Sequence, residues 1–269
     1  MRLAVVGHVE WVEFLRVPRL PVAGEIVHAT DWWAEPAGGG AVAAVQLAKL
    51  AGSADFFTAL GDDVLGRRAF EELPALSVRL HAAWRAEPQR RAETFVDEHG
   101  ERTIAVLGDR LTPRGADPLP WQELAAVDGV YFTGGDVDAL RAARAAKVLT
   151  ATPRAMDALR AAHIELDALV GSGSDEGERY EPGELDPPPR LYVATLGSRG
   201  GVMEPGGPFP AAPLPGPVVD TYGAGDSFAA GLTYGLAAGM PPADAVALAS
   251  RCGAASLTGR GAFAGQLAG

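Results

Sequence analysis

The run Asp220-Thr221-Tyr222-Gly223-Ala224-Gly225-Asp226-Ser227-Phe228 sets an acid directly after a turn of small residues that opens a helix. Gly223, Ala224 and Gly225 carry almost no side chain, so a ligand can approach their backbone closely. Ser227 to Ala238 predicts a helix, because Phe228, Leu232 and Leu236 recur every four residues as one buried stripe. Gly239 follows, and Pro241 and Pro242 stop the helix. The N–H groups of residues 223–226 then fall at a helix N-terminus, where donors lack intrahelical partners and the dipole favours an anion. Asp226 stands where it would take a proton from a hydroxyl held above the same turn. A positioned general base contributes ~10²–10⁴ in rate, and one preorganised donor to developing charge about 3–4 kcal/mol. Together these residues suit phosphoryl transfer to an alcohol. A lone GAGD would as readily cap a helix; the flanking Asp220-Thr221 and the segments below favour transfer.

Several other segments have chemistry to offer. Gly38-Gly39-Gly40 precedes a helix predicted from Ala41, and glycines at such an entry let a ligand lie against the backbone. Thr195-Leu196-Gly197-Ser198-Arg199-Gly200-Gly201 follows a predicted strand; its small residues admit a phosphate or ribose, and Arg199 could meet a phosphate. After Gly7 an extended chain points His8, Glu10 and Val12 to one side, which makes Glu10 the acidic candidate there. Simple exposure at a strand end is the competing reading of Glu10. Arg102 could reach a substrate from a turn, and Asp136, after the strand ending at Thr133, could line the site. Asp175, in Ser172-Gly173-Ser174-Asp175, could hold metal-bound water, since magnesium prefers carboxylate and water oxygens. Glu176 and Glu178 are near alternatives, and a solvated acidic loop is the competing view. Asp62 or Asp63 caps the helix that follows.

Short apolar runs alternate with helical patterns along the chain. Strands are predicted at Leu3–Val6, Asp55–Thr58, Val130–Thr133, Lys147–Thr150, Ala168–Gly171 and Leu191–Thr195, with helices at about 41–51, 64–73, 121–126, 137–145, 154–162, 227–238 and 243–257. The alternation predicts an α/β fold with a mostly parallel central sheet and helices on both faces. Four further extended segments break that rhythm: Glu10–Val17, Glu25–Trp33, Ala92–Asp97 and Arg102–Leu107. The last two flank a hairpin turn. The four together predict a small sheet projecting from the core, drawn from about residues 10–34 and 91–107 of a single domain covering 1–269. Pro-rich stretches at 181–190 and 204–217 predict surface loops.

Taken in order, these segments resemble the ribokinase-like, or phosphofructokinase-B, carbohydrate kinases. The family signature D-T-x-G-A-G-D-x-F is matched throughout by 220–228, T-L-G-x-x-G by 195–200, and G-D-D-x-x-G by 61–66. The N-terminal G-G-x-x-x-N is matched in part, since its Asn falls on Ala43. The sugar-binding Asp expected five residues after the strand-ending Gly falls on Val12, and N-x-x-E meets Ser172 and Asp175. The resemblance implies that Asp226 is the catalytic base and that Gly223, Ala224 and Gly225 form the anion hole. It places Thr195, Gly197, Ser198, Arg199, Gly200, Thr221 and Cys252 about the nucleotide, although Cys252 also reads as a small buried apolar residue. It places Glu10, Gly38, Gly39, Gly40, Arg102 and Asp136 about the acceptor, and Asp175 beside a metal. ATP and magnesium are implied, with potassium beside the anion hole in some members. The small sheet would be a lid over the sugar site and a homodimer surface. The implied activity is ATP-dependent phosphorylation of a hydroxymethyl group on a sugar or sugar-like alcohol. The alternatives are a nucleoside or vitamin-precursor kinase of the same fold, or a catalytically silent nucleotide- or sugar-binding regulator.

Composition narrows the field. With 269 residues the chain can bury a substantial core. Its net charge of −11 and lack of a basic patch argue against a nucleic-acid partner. A dinucleotide oxidoreductase is disfavoured because G-x-G-x-x-G does not follow the first strand. Cys252 is alone, so no intrachain disulfide forms, and no apolar run approaches the ~20 residues that span a bilayer. No signal-peptide pattern leads the chain, so a cytoplasmic location is expected.

Overall fold

A computed structural model describes residues 1–269. The strands in chain order are β1 (Leu3–Val6), β2 (Glu10–Arg16), β3 (Asp31–Ala37), β4 (Ala54–Gly61), β5 (Val78–Arg85), β6 (Arg91–Val96), β7 (Arg102–Leu107), β8 (Gly129–Phe132), β9 (Val148–Ala151), β10 (Ala168–Ser172), β11 (Tyr192–Thr195), β12 (Gly201–Glu204) and β13 (Gly207–Phe209). The helices are α1 (Gly39–Ala51), α2 (Val64–Glu72), α3 (Val137–Ala143), α4 (Met156–Ala162), α5 (Ala224–Ala237) and α6 (Pro242–Ser256). Nine strands form one sheet in the order β13-β12-β11-β10-β9-β8-β1-β4-β5, parallel from β11 to β5. Strands β1, β4 and β8 are buried along their whole length, as strands covered on both faces must be. This is the predicted α/β architecture.

Two edges of the sheet escaped the sequence. Strand β5 alternates Val78, Leu80 and Ala82 with Arg79 and His81, which obscures its pattern. Its charges have a buried partner, because Asp55 on β4 faces Arg79 in register and accepts from Nε and Nη2 at 2.9 and 2.7 Å. At the opposite edge β12 and β13 form an antiparallel hairpin, so residues 207–209 of the predicted Pro-rich loop are strand instead. The predicted helix at 121–126 is a run of 3-10 turns.

A second sheet, in the order β3-β2-β6-β7, covers one end of the first. Its edge strand β3 was expected at Glu25–Trp33, but the strand is Asp31–Ala37. Antiparallel pairing runs from Arg16 opposite Asp31 to Glu10 opposite Ala37, which fixes that register. Pro36 is tolerated because β3 is an edge strand. Trp11, Phe14 and Val96 from this lid join the same core as Leu3, Val5, Val42 and Phe228. No helix is long and apolar enough to cross a membrane.

Strand β3 leads directly into α1, and glycine makes that junction close. A Cβ on Gly40 would lie 2.5 Å from the His8 carbonyl oxygen and 2.8 Å from the His8 nitrogen, both backbone atoms that cannot swing aside. We therefore expect Gly40→Ala to pry α1 from the end of β1. The overpacking cost of about 1–3 kcal/mol should lower Tm by several degrees in calorimetry; an unchanged Tm would contradict this packing.

Candidate active site

Helix α5 begins three residues earlier than its apolar stripe predicts. Gly223 is the N-cap in the left-handed region, at φ 76°, and its carbonyl accepts the Ser227 N–H at 2.9 Å. Asp226 is thus in the first turn. The N–H groups of Gly223, Ala224, Gly225 and Asp226 donate to no backbone carbonyl and to no side chain, and a Cβ on Gly225 would meet open space. Four donors without protein partners therefore lie next to a carboxylate, with open space at Gly225.

A second helix N-terminus meets this one. Gly38 caps α1 at φ 83°, and the Gly38 N–H donates to the Tyr222 hydroxyl at 3.1 Å. A Cβ on Gly39 would lie 2.7 Å from Asp226 Oδ1, so the acid occupies the space that glycine leaves. The two dipoles favour an ionised carboxylate. Burial outweighs them: it raises Asp226 from the ordinary 3.8 to about 7, with a further push from Glu178 and an opposing pull from Arg102 and Arg154. A base titrating near neutrality is well matched to proton abstraction from an alcohol.

Beyond Asp226, at the carboxyl end of β1, lie His8 and Glu10. Glu10 is 8% exposed, and its Oε1 sits 3.5 Å from His8 Nε2 and 2.7 Å from Arg90 Nε. That Nε–H is not aligned for a hydrogen bond, so charge rather than direction holds the Arg90 pair. Burial would raise the Glu10 carboxyl, but the His8 contact and the Arg90 charge hold it below its usual range. Burial pushes His8 down, which leaves it neutral, and its Nδ1 has no partner. Ala43 is fully buried in α1 and offers no polar group.

On the other side, Gly197, Ser198 and Arg199 form an exposed turn after β11, with Gly197 and Gly200 at φ 60° and 81°. Arg199 has solvent before it, and Thr195 Oγ1 donates to the Gly171 carbonyl at 3.3 Å. Thr221 is tied from both backbone atoms: its N–H donates to the Gly100 carbonyl at 3.1 Å and its carbonyl accepts from Arg102 Nη1.

Four expected site residues do other work. Arg102 donates from β7 to the Thr221 carbonyl and acts by its charge on Asp226. Asp136 caps α3, accepting from the N–H groups of Ala139 at 2.8 Å and Gly115 at 2.9 Å. Cys252 is buried against Gly231 between α5 and α6, where it packs the two helices together and burial pushes its thiol up to about 12. Asp175 caps a short turn through the Gly177 N–H and pairs with Arg154. The acid that acts on Asp226 is Glu178, which accepts from Arg154 Nε at 2.6 Å. No three His, Cys, Asp or Glu side chains cluster as a ready metal site.

The pfkB family carbohydrate kinase model matches residues 1–162 and 137–267. The chain belongs to the pfkB carbohydrate kinase family. It is 32% identical to an ATP-dependent ribose-1-phosphate kinase of Halopiger xanaduensis, over 97% of this chain and 94% of that protein. It is 31% identical to a fructokinase of Klebsiella pneumoniae, over 85% of this chain and 87% of that one. The ribokinase of Thermotoga maritima has the same fold, with a TM-score of 0.77 at 22% identity, covering 100% of this chain and 96% of that one.

Within this pfkB chain, sequence reading missed Arg90, Arg110 and Arg154. Arg154 had a usable signal, because it follows Thr152-Pro153 directly after β9, and ligands of open α/β sheets sit beyond strand carboxyl ends. Arg90 and Arg110 flank the lid strands and reach the site only through the fold. Gly39→Ala tests the closest contact. The new methyl meets the movable end of Asp226, so Tm should stay within ~2 °C while kcat falls about 10²-fold from displacement of that carboxylate; a kcat near wild type would refute the contact.

Proposed function

We propose that this carbohydrate kinase transfers the γ-phosphoryl group of ATP to a hydroxymethyl group of a sugar, with Asp226 as general base. The observation that carries this reading is the convergence of four free N–H groups, residues 223–226, on the space beside a carboxylate raised to about 7. The hydroxyl gives its proton to Asp226 as its oxygen attacks phosphorus. The N–H groups of 223–225 take the charge on the transferring phosphoryl oxygens, where preorganised donors are most effective. Arg154 adds a positive charge from the carboxyl end of β9. The exposed turn at 197–200 and Thr195 support the nucleotide, with Thr221 setting the approach to the anion hole. Glu10 and the Gly38–Gly40 turn hold the acceptor. The relatives from Klebsiella and Halopiger are kinases of fructose and ribose 1-phosphate, which supports an acceptor of similar size.

Magnesium fits this site through few protein ligands, as it commonly does, with one or two carboxylates and the substrate phosphates. Glu178 and then Asp175 would hold it, and it would offset phosphate charge. For potassium, the buried Asp220 and the partly buried Glu35 are the acids beside the turn; desolvation raises both. Their oxygens already accept the N–H groups of Tyr222, Gly261 and Ala262. The exposed lid edge β7, with Ile104, Val106 and Leu107 partly in solvent, supports pairing with a second copy.

The proton balance gives a test with two readouts. Activity needs ionised Asp226, so kcat/KM should rise with pH through about 7 and level off above it. Asp226→Asn should lose at least ~10²-fold in kcat at every pH. Stability runs the other way. The folded state holds the Asp226 proton more tightly than the unfolded chain, so this group costs nothing below about pH 4 and its full penalty above about pH 7. Asp226→Asn should therefore stabilise the free protein at about pH 8, by up to ~4 kcal/mol, and not at about pH 4. Turnover that survives this substitution would end the assignment.

A further inference from the structure

Arg110 follows strand β7 and lines two clefts, one of them shared with Arg154. One, of about 210 Å³, is shared with Pro153, Arg154 and Met156. The other, of about 150 Å³, is shared with Arg85, Leu111 and Thr112. The neighbouring cleft arginines have carboxylate partners or face open solvent. Arg154 pairs with Asp175 and Glu178, Arg85 pairs with Asp117 at 2.6 Å, and Arg114 is exposed. Arg110 is half-buried and has neither an ion pair nor a hydrogen bond. It lies within electrostatic range of Arg90, Glu10, Arg154 and Asp226.

A guanidinium does not shed its proton, so it cannot relieve partial burial by becoming neutral. A charge withdrawn from water without a partner is costly. No carboxylate supplies that partner: Glu10 is engaged by Arg90 at 2.7 Å and Glu178 by Arg154, and the exposed Asp157, Glu87 and Asp109 that also line these clefts form no ion pair with Arg110. His8 adds no negative charge. Arg110 is therefore left with no carboxylate in direct contact, while Glu10 and Asp226 act on it only at longer range. Hydroxyls of a neutral sugar could solvate that charge but not neutralise it, whereas a phosphate or carboxylate would meet the guanidinium fork with paired, charge-assisted hydrogen bonds.

We propose that the acceptor carries an anionic group, a phosphate monoester or a carboxylate, that pairs with Arg110 while its hydroxymethyl group faces Asp226. This rests on the kinase reading above and names the acceptor class. The anion takes no part in the chemistry. Arg110 fixes one end of the acceptor and Asp226 meets the other.

The test is steady-state kinetics with ATP on matched acceptors: a free sugar, its phosphate monoester and its sugar acid. We expect one anionic acceptor to exceed the free sugar in kcat/KM by ~10²-fold or more, and which one does so separates the two sources. Arg110→Gln should raise KM for that acceptor ~10²-fold, leave KM for ATP within ~3-fold, and leave the free sugar unaffected; Arg110→Lys should recover part of the loss. Titration of the same compounds into Asp226→Asn protein reads acceptor binding without turnover and should show the same Arg110 dependence. A free sugar as best acceptor, indifferent to Arg110→Gln, would overturn the proposal and leave the kinase intact. An Arg110→Gln defect confined to KM for ATP would also overturn it, by moving Arg110 to the nucleotide. Turnover that survives Asp226→Asn would instead strike the base assignment, with the Arg110 effect on acceptor KM still readable.

Discussion

The close approach of two helix N-termini underlies everything else in this site. Helix α1 opens at Gly38-Gly39-Gly40 and α5 at Gly223-Ala224-Gly225, and each turn fills space the other leaves. A Cβ on Gly223 would meet Val42 of α1 at 2.8 Å, and one on Gly39 would meet Asp226 of α5 at 2.7 Å. A side chain at Gly223 would press on Val42, and one at Gly39 would displace the Asp226 carboxylate. The same packing that gathers the free donors also desolvates the base, so anion binding and a raised carboxyl arise from one contact. The penalty for holding that carboxyl ionised at neutral pH is borne by the buried sheet and the shared core.

The lid is fastened to this arrangement through backbone atoms of the signature segment. Arg16 donates to the Val219 carbonyl at 3.3 Å, Arg102 holds the Thr221 carbonyl, and Thr221 donates to Gly100. Phe14 meets the Tyr222 ring edge-on at 5.1 Å, and the Tyr222 hydroxyl receives the Gly38 N–H. From β3, Glu35 accepts the Ala262 N–H at 2.6 Å, and Arg260 lies 4.0 Å over Trp33. The approach to the anion hole is thus built partly from lid residues. A shift of the small sheet would therefore also disturb residues 219–222, because the two are joined by direct contact.

These contacts explain what could be read from the sequence. The chemistry of 220–228 is local: glycines, an acid and a helix onset occupy nine consecutive residues, and their physics survives without the fold. The parallel sheet was legible for the same reason, since β1, β4 and β8 are buried on both faces and their apolar runs are unbroken. Strand β5 was hidden because Arg79 and His81 interrupt its pattern, and the acid that accepts them, Asp55, belongs to another strand. Asp136 and Asp175 look like site residues in sequence, since each is an acid just past a strand. Whether such an acid faces a ligand or caps the next turn depends on side-chain direction, and here both cap. Arg154 is marked only by following a strand end, and Arg90 and Arg110 carry no local mark; all three matter because distant segments bring them around Glu10 and Asp226.

Charge placement shows why those arginines bear on function. A chain with a net charge of −11 repels the anionic nucleotide it must bind. The site offsets that sign locally with two helix N-termini, the free Arg199 and the unpaired Arg110. Glu10 and Glu178 are each neutralised by an arginine, so the acids that shape the site do not cancel the field that draws phosphate into it. Asp226 alone keeps an unpaired carboxyl at the centre, and an unpaired, desolvated carboxyl is the one group here able to take a proton near neutral pH. Pairing thus sorts the acids by what they do. Those that hold structure or charge balance are engaged by arginine or backbone N–H groups, and the one left free is placed to react.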